Sequence, residues 1–594
     1  MKWITSTQLN QWADCRDAQS ILPELVLRLI HATVSISDIT KLRFPSGDAV
    51  RLSGWDGVLE STDSVYTIDE GLSLWECGTN KECKSKADED YAKRSENALG
   101  YRRQTATYVF VTPRIWNGVN KWVLDKKTDG IWKNVVVLTA VELEDWLSLC
   151  PAVAIWLAEQ WHKHPIKANS IETFWKNRFV GQKVALNPDI MLGGRETEQE
   201  QLYQQLDNPS ISVVQSIAQF ESLSFAVACL LESSDAFGWK SRSLVVNDEN
   251  TLEQLIEEYD NLIFIANVGN KNHIYATQKG HRIIYAVSAA EIPKVNDLIS
   301  LPLIDRDKFI ESLSSSGLNR NYAEQLSKET VRNITILRRH LKLDFTPPLW
   351  AKAENIRDLI PAILIGRWND KVEGDRNIVA RIAGESYNRY SEKLQRWVNS
   401  DDTPLVNVDG IWRIISPYES FCYASNYFTA NDFSNYHSVV FEIAADNDPD
   451  ANEKLNATTI QFWENKQCYS GWLKEGIFQS AILISIIGKS TELCTPQQPA
   501  DMWVDSIIRD ILNNSTIEWW FSNGRILSQI AEASPRCYIK YLIDDLKKED
   551  SIIKRLFIPK ANISFMGPGE NYTNVLWSLR MLLWEEEFFL PVSL

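Results

Sequence analysis

At 594 residues the chain is too long for one hydrophobic core, so several domains are expected. Hydrophobic residues at 44% and charged residues at 24% exclude a disordered or collagen-like chain, and 23 Trp provide large packing anchors. A formal net charge of −16 excludes a generally basic nucleic-acid binder, so any DNA contact needs a local patch of Lys and Arg.

In residues 1–165, Leu22, Leu25, Val26, Leu29 and Ile30 recur at helical spacing between Leu22 and Ala32. Strands are expected at Lys41–Phe44, Val50–Glu60 and Leu72–Gly78, then a helix from Lys86 to Leu99. Tyr108–Thr112 and Val135–Leu138 are short β-branched runs, hence buried strands, and Val141–Leu149 and Ala152–Trp161 are amphipathic helices. The order α-β-β-β-α-β-β-α predicts a mixed sheet flanked by helices. Asp56 and Glu76 fall on neighbouring predicted strands, and Lys86 lies on the helix after them. Carboxylates converging from adjacent strands make an oxygen-rich site for Mg²⁺, and a nearby lysine can help activate water and stabilise charge on phosphorus. On an ideal helix Lys86, Asp90 and Lys93 share one face, while Ala87, Tyr91 and Ala98 share another that packs on the sheet.

This order and these acids resemble the PD-(D/E)xK nuclease superfamily, which includes many restriction endonucleases. The resemblance implies that Asp56 is the first catalytic acid, in the second core strand, and Glu76 the second, in the third, both binding the metal. Glu24, on the first helix, fits the extra helical acid of some members. The family lysine usually lies two residues after the second acid, where this chain has Gly78. Some relatives carry it on the following helix, which makes Lys86 the substitute. Lys93, Arg94, Arg102 and Arg103 are then expected on the DNA backbone, and Arg114, after Thr112-Pro113, is placed to grip a phosphate. The plainer readings are a turn at Asp56-Gly57, a solvated Lys/Asp helix face, and surface roles for Glu24 and Arg114.

Residues 166–345 change texture. A linker with one helix at Ile171–Phe179 leads to Gly193-Gly194-Arg195 and a helix at Glu196–Leu206. Strands at Ile211–Val214, Ser243–Val246, Leu262–Asn267 and Arg282–Val287 alternate with helices at Leu223–Leu231, Leu252–Glu258 and Asn272–Gln278, which predicts a parallel α/β sheet. A phosphate-binding loop reads G-x-x-x-x-G-K-[ST], its backbone N–H groups wrapping phosphate and its lysine neutralising it. Here Gln215-Ser-Ile-Ala-Gln-Phe220-Glu221-Ser222 lacks both glycines, and Glu221 stands in the lysine place, where it would repel a triphosphate. Asn267 is neutral where an acidic pair would hold Mg²⁺. The reading is an NTPase-like scaffold from which ATP hydrolysis is not expected; an unrelated α/β domain is the alternative. Phe309–Leu313, Ala323–Leu326 and Ile334–Arg339 resemble the helical lid of AAA+ and STAND-type ATPases, whose arginine senses a γ-phosphate. Arg338 and Arg339 stand at such a position, with packing or surface roles as the alternative.

In residues 346–457, helices at Ile356–Leu364 and Ile378–Trp397 precede a hairpin at Leu405–Ile415 with an Asp409-Gly410 turn, a winged-helix-like order. Arg413 is its one base, too few for reading DNA. In residues 458–594, Ile477–Ile487, Met502–Leu512, Ile526–Ala533, Tyr538–Leu546 and Val575–Trp584 read as stacked helices of a repeat scaffold for partner recognition or self-association. The closing segment Leu583–Leu594 stops in an apolar stretch without a polar cap, as expected of the front part of a longer ancestor or of a chain that continues into a partner.

Nine Cys are scattered without zinc-site spacing, and an odd number with no leader-like start points to a reducing cytoplasm. The most apolar run, Gly476–Gly488, is too short for a membrane span, so no membrane partner is expected. The expected architecture is multidomain α/β plus α: a restriction-endonuclease-like mixed sheet, a parallel NTPase-like domain, a winged-helix-like segment and α-helical repeats. The layout resembles bacterial anti-phage defence proteins of the STAND class. That implies a Mg²⁺-dependent DNA endonuclease effector under a protein trigger; the rival is an inactive nuclease-fold scaffold or sensor.

Overall fold

Three separate sheets and a helical array organise the described residues. The computed structural model describes all residues except 1, 46, 48–53, 165, 270–272, 290–297, 399, 401, 457–465, 489–490, 492, 494, 497, 558–572, 584–585 and 594. They form two compact units, Met1–Ala323 and Glu324–Leu594.

The first unit opens with helices α1 (Ser6–Trp12) and α2 (Ala18–Thr33). Its first sheet runs in the order β1 (Ile39–Arg43), β2 (Gly57–Ser61), β3 (Gly71–Cys77), β4 (Ala106–Val111), β5 (Asn134–Leu138). The first three strands are an antiparallel meander; β3, β4 and β5 are parallel. Helix α3 (Cys83–Glu96) makes the crossover from β3 to β4 that parallel pairing requires. Every residue of β4 is buried, as befits a central strand covered on both faces. Leu22, Leu25 and Leu29 of α2 pack with Trp75 and Val109 on one face; α5 (Ala140–Leu149) and α6 (Pro151–Gln160) join them. Ala87 and Tyr91 of α3 pack with Val58, Leu74, Tyr108 and Phe110 on the other.

Two local differences from the sequence reading matter. Helix α4 (Val119–Thr128) forms the β4-to-β5 crossover, where no helix was expected. Its one buried residue is Trp122, so its apolar stripe is almost invisible. The predicted strand Val50–Glu60 begins only at Gly57, and residues 50–53 lie outside those described.

The chain continues through β6 (Ala168–Asn169), α7 (Ile171–Phe179), α8 (Glu196–Leu206), β7 (Ile211–Ser216), α9 (Gln219–Glu232), α10 (Ala236–Arg242), β8 (Ser243–Val246) and α11 (Glu249–Glu258). Next come β9 (Ile263–Ala266), α12 (Ile274–Gln278), β10 (Arg282–Ser288), β11 (Leu298–Ser300) and α13 (Arg306–Ser315). The second sheet has the order β11-β7-β10-β9-β8-β6. All its pairs are parallel except the short edge pair β6–β8. The two sheets belong to one unit, and Arg242 of α10 ties them. Its guanidinium donates to the carbonyls of His31 (3.0 Å) and Val34 (2.8 Å) at the end of α2, where helix carbonyls lack partners.

In the second unit the expected helix Ile378–Trp397 is two helices, Glu373–Ala383 and Tyr387–Val398, broken at Gly384 in the left-handed conformation that ends helices. The hairpin turns on Asp409 and Gly410, both at positive φ, as a two-residue turn of type I′ demands. A third strand, Arg367–Asn369, pairs with it, and Trp368 stacks on Trp412 at 5.5 Å. Arg338 pairs with Asp344 at 3.3 Å, and Arg339 with Asp402 at 2.8 Å and Glu419 at 2.6 Å. Helices Gly471–Gly488, Ala500–Asn513, Leu527–Ala533, Pro535–Leu546 and Thr573–Leu582 share one hydrophobic core with these elements.

Candidate functional site

In the β2–β3 ladder Gly57 stands opposite Trp75 and Val58 opposite Leu74. One step further, Asp56 comes opposite Glu76. Opposed residues of an antiparallel pair share a face, and two-residue alternation puts these acids on the same face as Val58 and Leu74, beneath α3. Asp56 therefore precedes β2 rather than lying within it. Its Oδ2 accepts the Cys77 N–H at 2.8 Å, which anchors the carboxylate over the end of β3.

Glu76 is buried. Burial and the neighbouring charge of Asp56 push its pKa up to about 8, against the opposing pull of Arg94. Arg94 donates to the Glu76 carboxylate and to the Gly54 carbonyl, and its guanidinium lies 4.7 Å from the centre of the Trp55 ring. A third acid joins them. Asp90 is 3% exposed; its Oδ1 accepts from Lys86 Nζ at 2.8 Å, and its buried Oδ2 has no hydrogen-bond partner. Burial raises the Asp90 pKa, the Lys86 hydrogen bond and charge oppose this, and the charge of Asp56 adds to the rise. The sequence reading put Asp90 on the Lys86 face without giving it a role; the i,i+4 spacing was the available signal.

Lys86 is half-buried on the first turn of α3. Burial works to lower its pKa, but the Asp90 hydrogen bond and the charges of Asp90, Glu89 and Glu76 outweigh it, so the ammonium is held above its usual range. Its stem lies beside Gly78. A Cβ built on Gly78 would lie 3.2 Å from Lys86 Cγ and 3.0 Å from the Phe110 ring.

Other expected residues fall elsewhere. Glu24 pairs along α2 with Arg28 at 2.8 Å, and Arg28 also reaches Glu172 at 2.7 Å. Arg94 and Arg114, expected on phosphate, both turn inward. Arg114 donates to the carbonyls of Thr79 (2.9 Å), Asn10 (3.1 Å) and Ala13 (3.0 Å) and to Asp14 (2.9 Å), a brace between loop and α1. Arg103 donates to the Ser95 carbonyl, whereas Lys93 and Arg102 are exposed.

At the degenerate phosphate loop only Ile217 and Ala218 separate β7 from α9. Gln215 Nε2 donates to the Ser288 carbonyl at 3.1 Å, Ser222 Oγ to the Val287 carbonyl at 2.9 Å, and Phe220 packs against Phe174 and Phe179. Glu221 is buried and takes a hydrogen bond from Arg195, which is 1% exposed. The Gln215, Ser222 and Arg195 donors thus bind protein acceptors.

Among the described residues one set of three metal-ligating side chains has all its donor atoms within 4.8 Å of one another: Glu249, Glu253 and His273. Asp56, Glu76 and Asp90 are not so tightly gathered. No described helix is long and apolar enough to cross a membrane. The chain matches no protein-family model and no curated protein.

Proposed function

We propose that the first sheet carries a Mg²⁺-dependent DNA endonuclease site and that the chain is a conditional effector of the bacterial defence type. The observation that carries this reading is Lys86, whose stem passes over Gly78 and whose ammonium feels the charge of Glu76. The meander followed by parallel strands, with α3 as the first crossover, agrees with the PD-(D/E)xK order. The donor set fits a hard cation, because Asp56 and Glu76 offer carboxylate oxygens and Asp90 Oδ2 is buried without a donor. Asp56 and Glu76 would hold Mg²⁺, which when bound supplies positive charge to the phosphodiester oxygens. Lys86, held by Asp90, orients the attacking water and keeps a proton at Nζ. Arg94 steadies Glu76 in place. Lys93 and Arg102 are exposed for the DNA backbone.

The second sheet has the order fifth-first-fourth-third-second, followed by an antiparallel edge strand. That order and the helices after it support an NTPase-like regulatory scaffold, and the Arg195–Glu221 pair in the loop supports regulation without ATP hydrolysis. The C-terminal helices then serve recognition of a protein trigger or self-association.

One observation favours a second reading, a nuclease-fold scaffold without activity: Arg94 already occupies the Glu76 carboxylate. Supercoiled plasmid incubated with Mg²⁺ separates the two. The first reading expects nicking that EDTA, Asp56→Ala and Glu76→Ala each abolish. Asp56→Ala or Glu76→Ala protein that still cuts overturns it, and wild-type protein that binds DNA without cutting supports the scaffold.

A further inference from the structure

We propose that Glu249, Glu253 and His273 form a transition-metal site on the second sheet, separate from the Asp56–Glu76 site. Glu249 and Glu253 are one turn apart at the start of α11, so both carboxylates lie on one face. His273 comes from the segment after β9. Both segments leave the carboxyl ends of parallel strands, the edge at which open α/β sheets take ligands. One donor atom from each residue lies within 4.8 Å of the other two, a spacing one ion can bridge.

The imidazole supplies the second argument. His273 is 4% exposed, and its Nδ1 is engaged by the hydroxyl of Tyr285, a wholly buried residue of β10. An Nδ1–H donated to that hydroxyl leaves the Nε2 lone pair directed at the carboxylates, the tautomer that metal-binding histidines take when a neighbour fixes the other nitrogen. Nε2 lies 3.4 Å from Glu249 Oε1. A lone pair facing a carboxylate repels it unless a cation lies between them. One imidazole with two carboxylates suits Zn²⁺, Co²⁺ or Mn²⁺ better than Mg²⁺, and three protein ligands leave room for water or a further ligand. The ion would pin α11 to the segment after β9.

Co²⁺ titration of the full chain, followed by its visible absorption and by equilibrium dialysis, tests this. The expected result is one Co²⁺ with a ligand-field band, displaced by Zn²⁺ and retained in Asp56→Ala/Glu76→Ala protein. Glu253→Gln, at a partly exposed position, weakens binding at least about tenfold, and His273→Asn abolishes the band. Because Glu253→Gln leaves the core intact, the test survives if His273→Asn fails to fold. Unchanged Co²⁺ binding in Glu253→Gln, absence of binding in the wild type, or loss of the band on Asp56→Ala/Glu76→Ala would each overturn the proposal. A His273 that only pairs with Glu249 as imidazolium gives no band.

Discussion

Lys86 Cγ lies 3.2 Å from the point at which a side chain on Gly78 would begin. A side chain at position 78, directly after β3, and the Lys86 stem on the next helix would therefore compete for one volume. Phe110, wholly buried, lies 3.0 Å from the same point and closes the other side. A methyl group on Gly78 requires the Lys86 stem and the Phe110 ring to give by a few tenths of an ångström. Gly78→Ala is expected to lower DNA cleavage by as much as ~100-fold, the cost of a misplaced catalytic group. It should cause no further loss in a Lys86→Ala background, as single-turnover rates of the four proteins would show.

Glu76 makes apo-protein stability depend on pH. Its pKa rises from 4.5 to about 8 on folding, so between those values the folded state holds a proton that the unfolded chain has released. The corresponding stability is fully present below 4.5 and lost as pH rises through about 8. Relative to wild type, Glu76→Gln should gain stability across that window, on the order of a few kcal/mol. Urea unfolding in EDTA at a series of pH values checks this. A pH-independent difference would mean that Arg94 keeps Glu76 ionised throughout.

Much of this fold is written in local patterns. Tyr108–Thr112 and Val135–Leu138 are legible because strands covered on both faces are apolar throughout. The Asp409-Gly410 turn is legible because its conformation requires those residue types. Helix α4 is not, since Trp122 is its one fully buried residue and Val119 and Val123 pack only in part. Arg94 was assigned to DNA with its neighbour Lys93, yet successive helix residues point about 100° apart, and Arg94 lies three residues from buried Tyr91. That signal was present. The Arg195–Glu221 and His273–Glu249 pairings join distant segments, and no local pattern announces such partners.

The Arg195–Glu221 pair is buried at the start of α9. Both side chains are nearly inaccessible, at 1% and 6% exposure. Arg195→Ala leaves a buried carboxylate without its partner and is expected to destabilise the protein by about 3–5 kcal/mol. An Arg195→Met/Glu221→Met double variant should lose much less. Chemical denaturation of the two proteins gives the comparison.

Exposure sorts the basic residues of the first sheet into two kinds. Lys93→Ala and Arg102→Ala should each weaken duplex binding regardless of sequence and lower the salt dependence by about one counterion. Arg94→Ala and Arg114→Ala should leave that slope unchanged while lowering stability, because their guanidinium groups bind protein carbonyls and carboxylates. Fluorescence anisotropy across a salt series, beside thermal melts, separates the two kinds.

The role of Lys86 is tested most directly by moving the ammonium to position 78, directly after β3. Supercoiled-plasmid cleavage with Mg²⁺ should be present in the wild type, lost in Lys86→Ala and partly restored in Lys86→Ala/Gly78→Lys, where the new side chain enters the volume that Lys86 has vacated. Cleavage by Lys86→Ala at the wild-type rate, or wild-type protein that never cuts, would contradict the account.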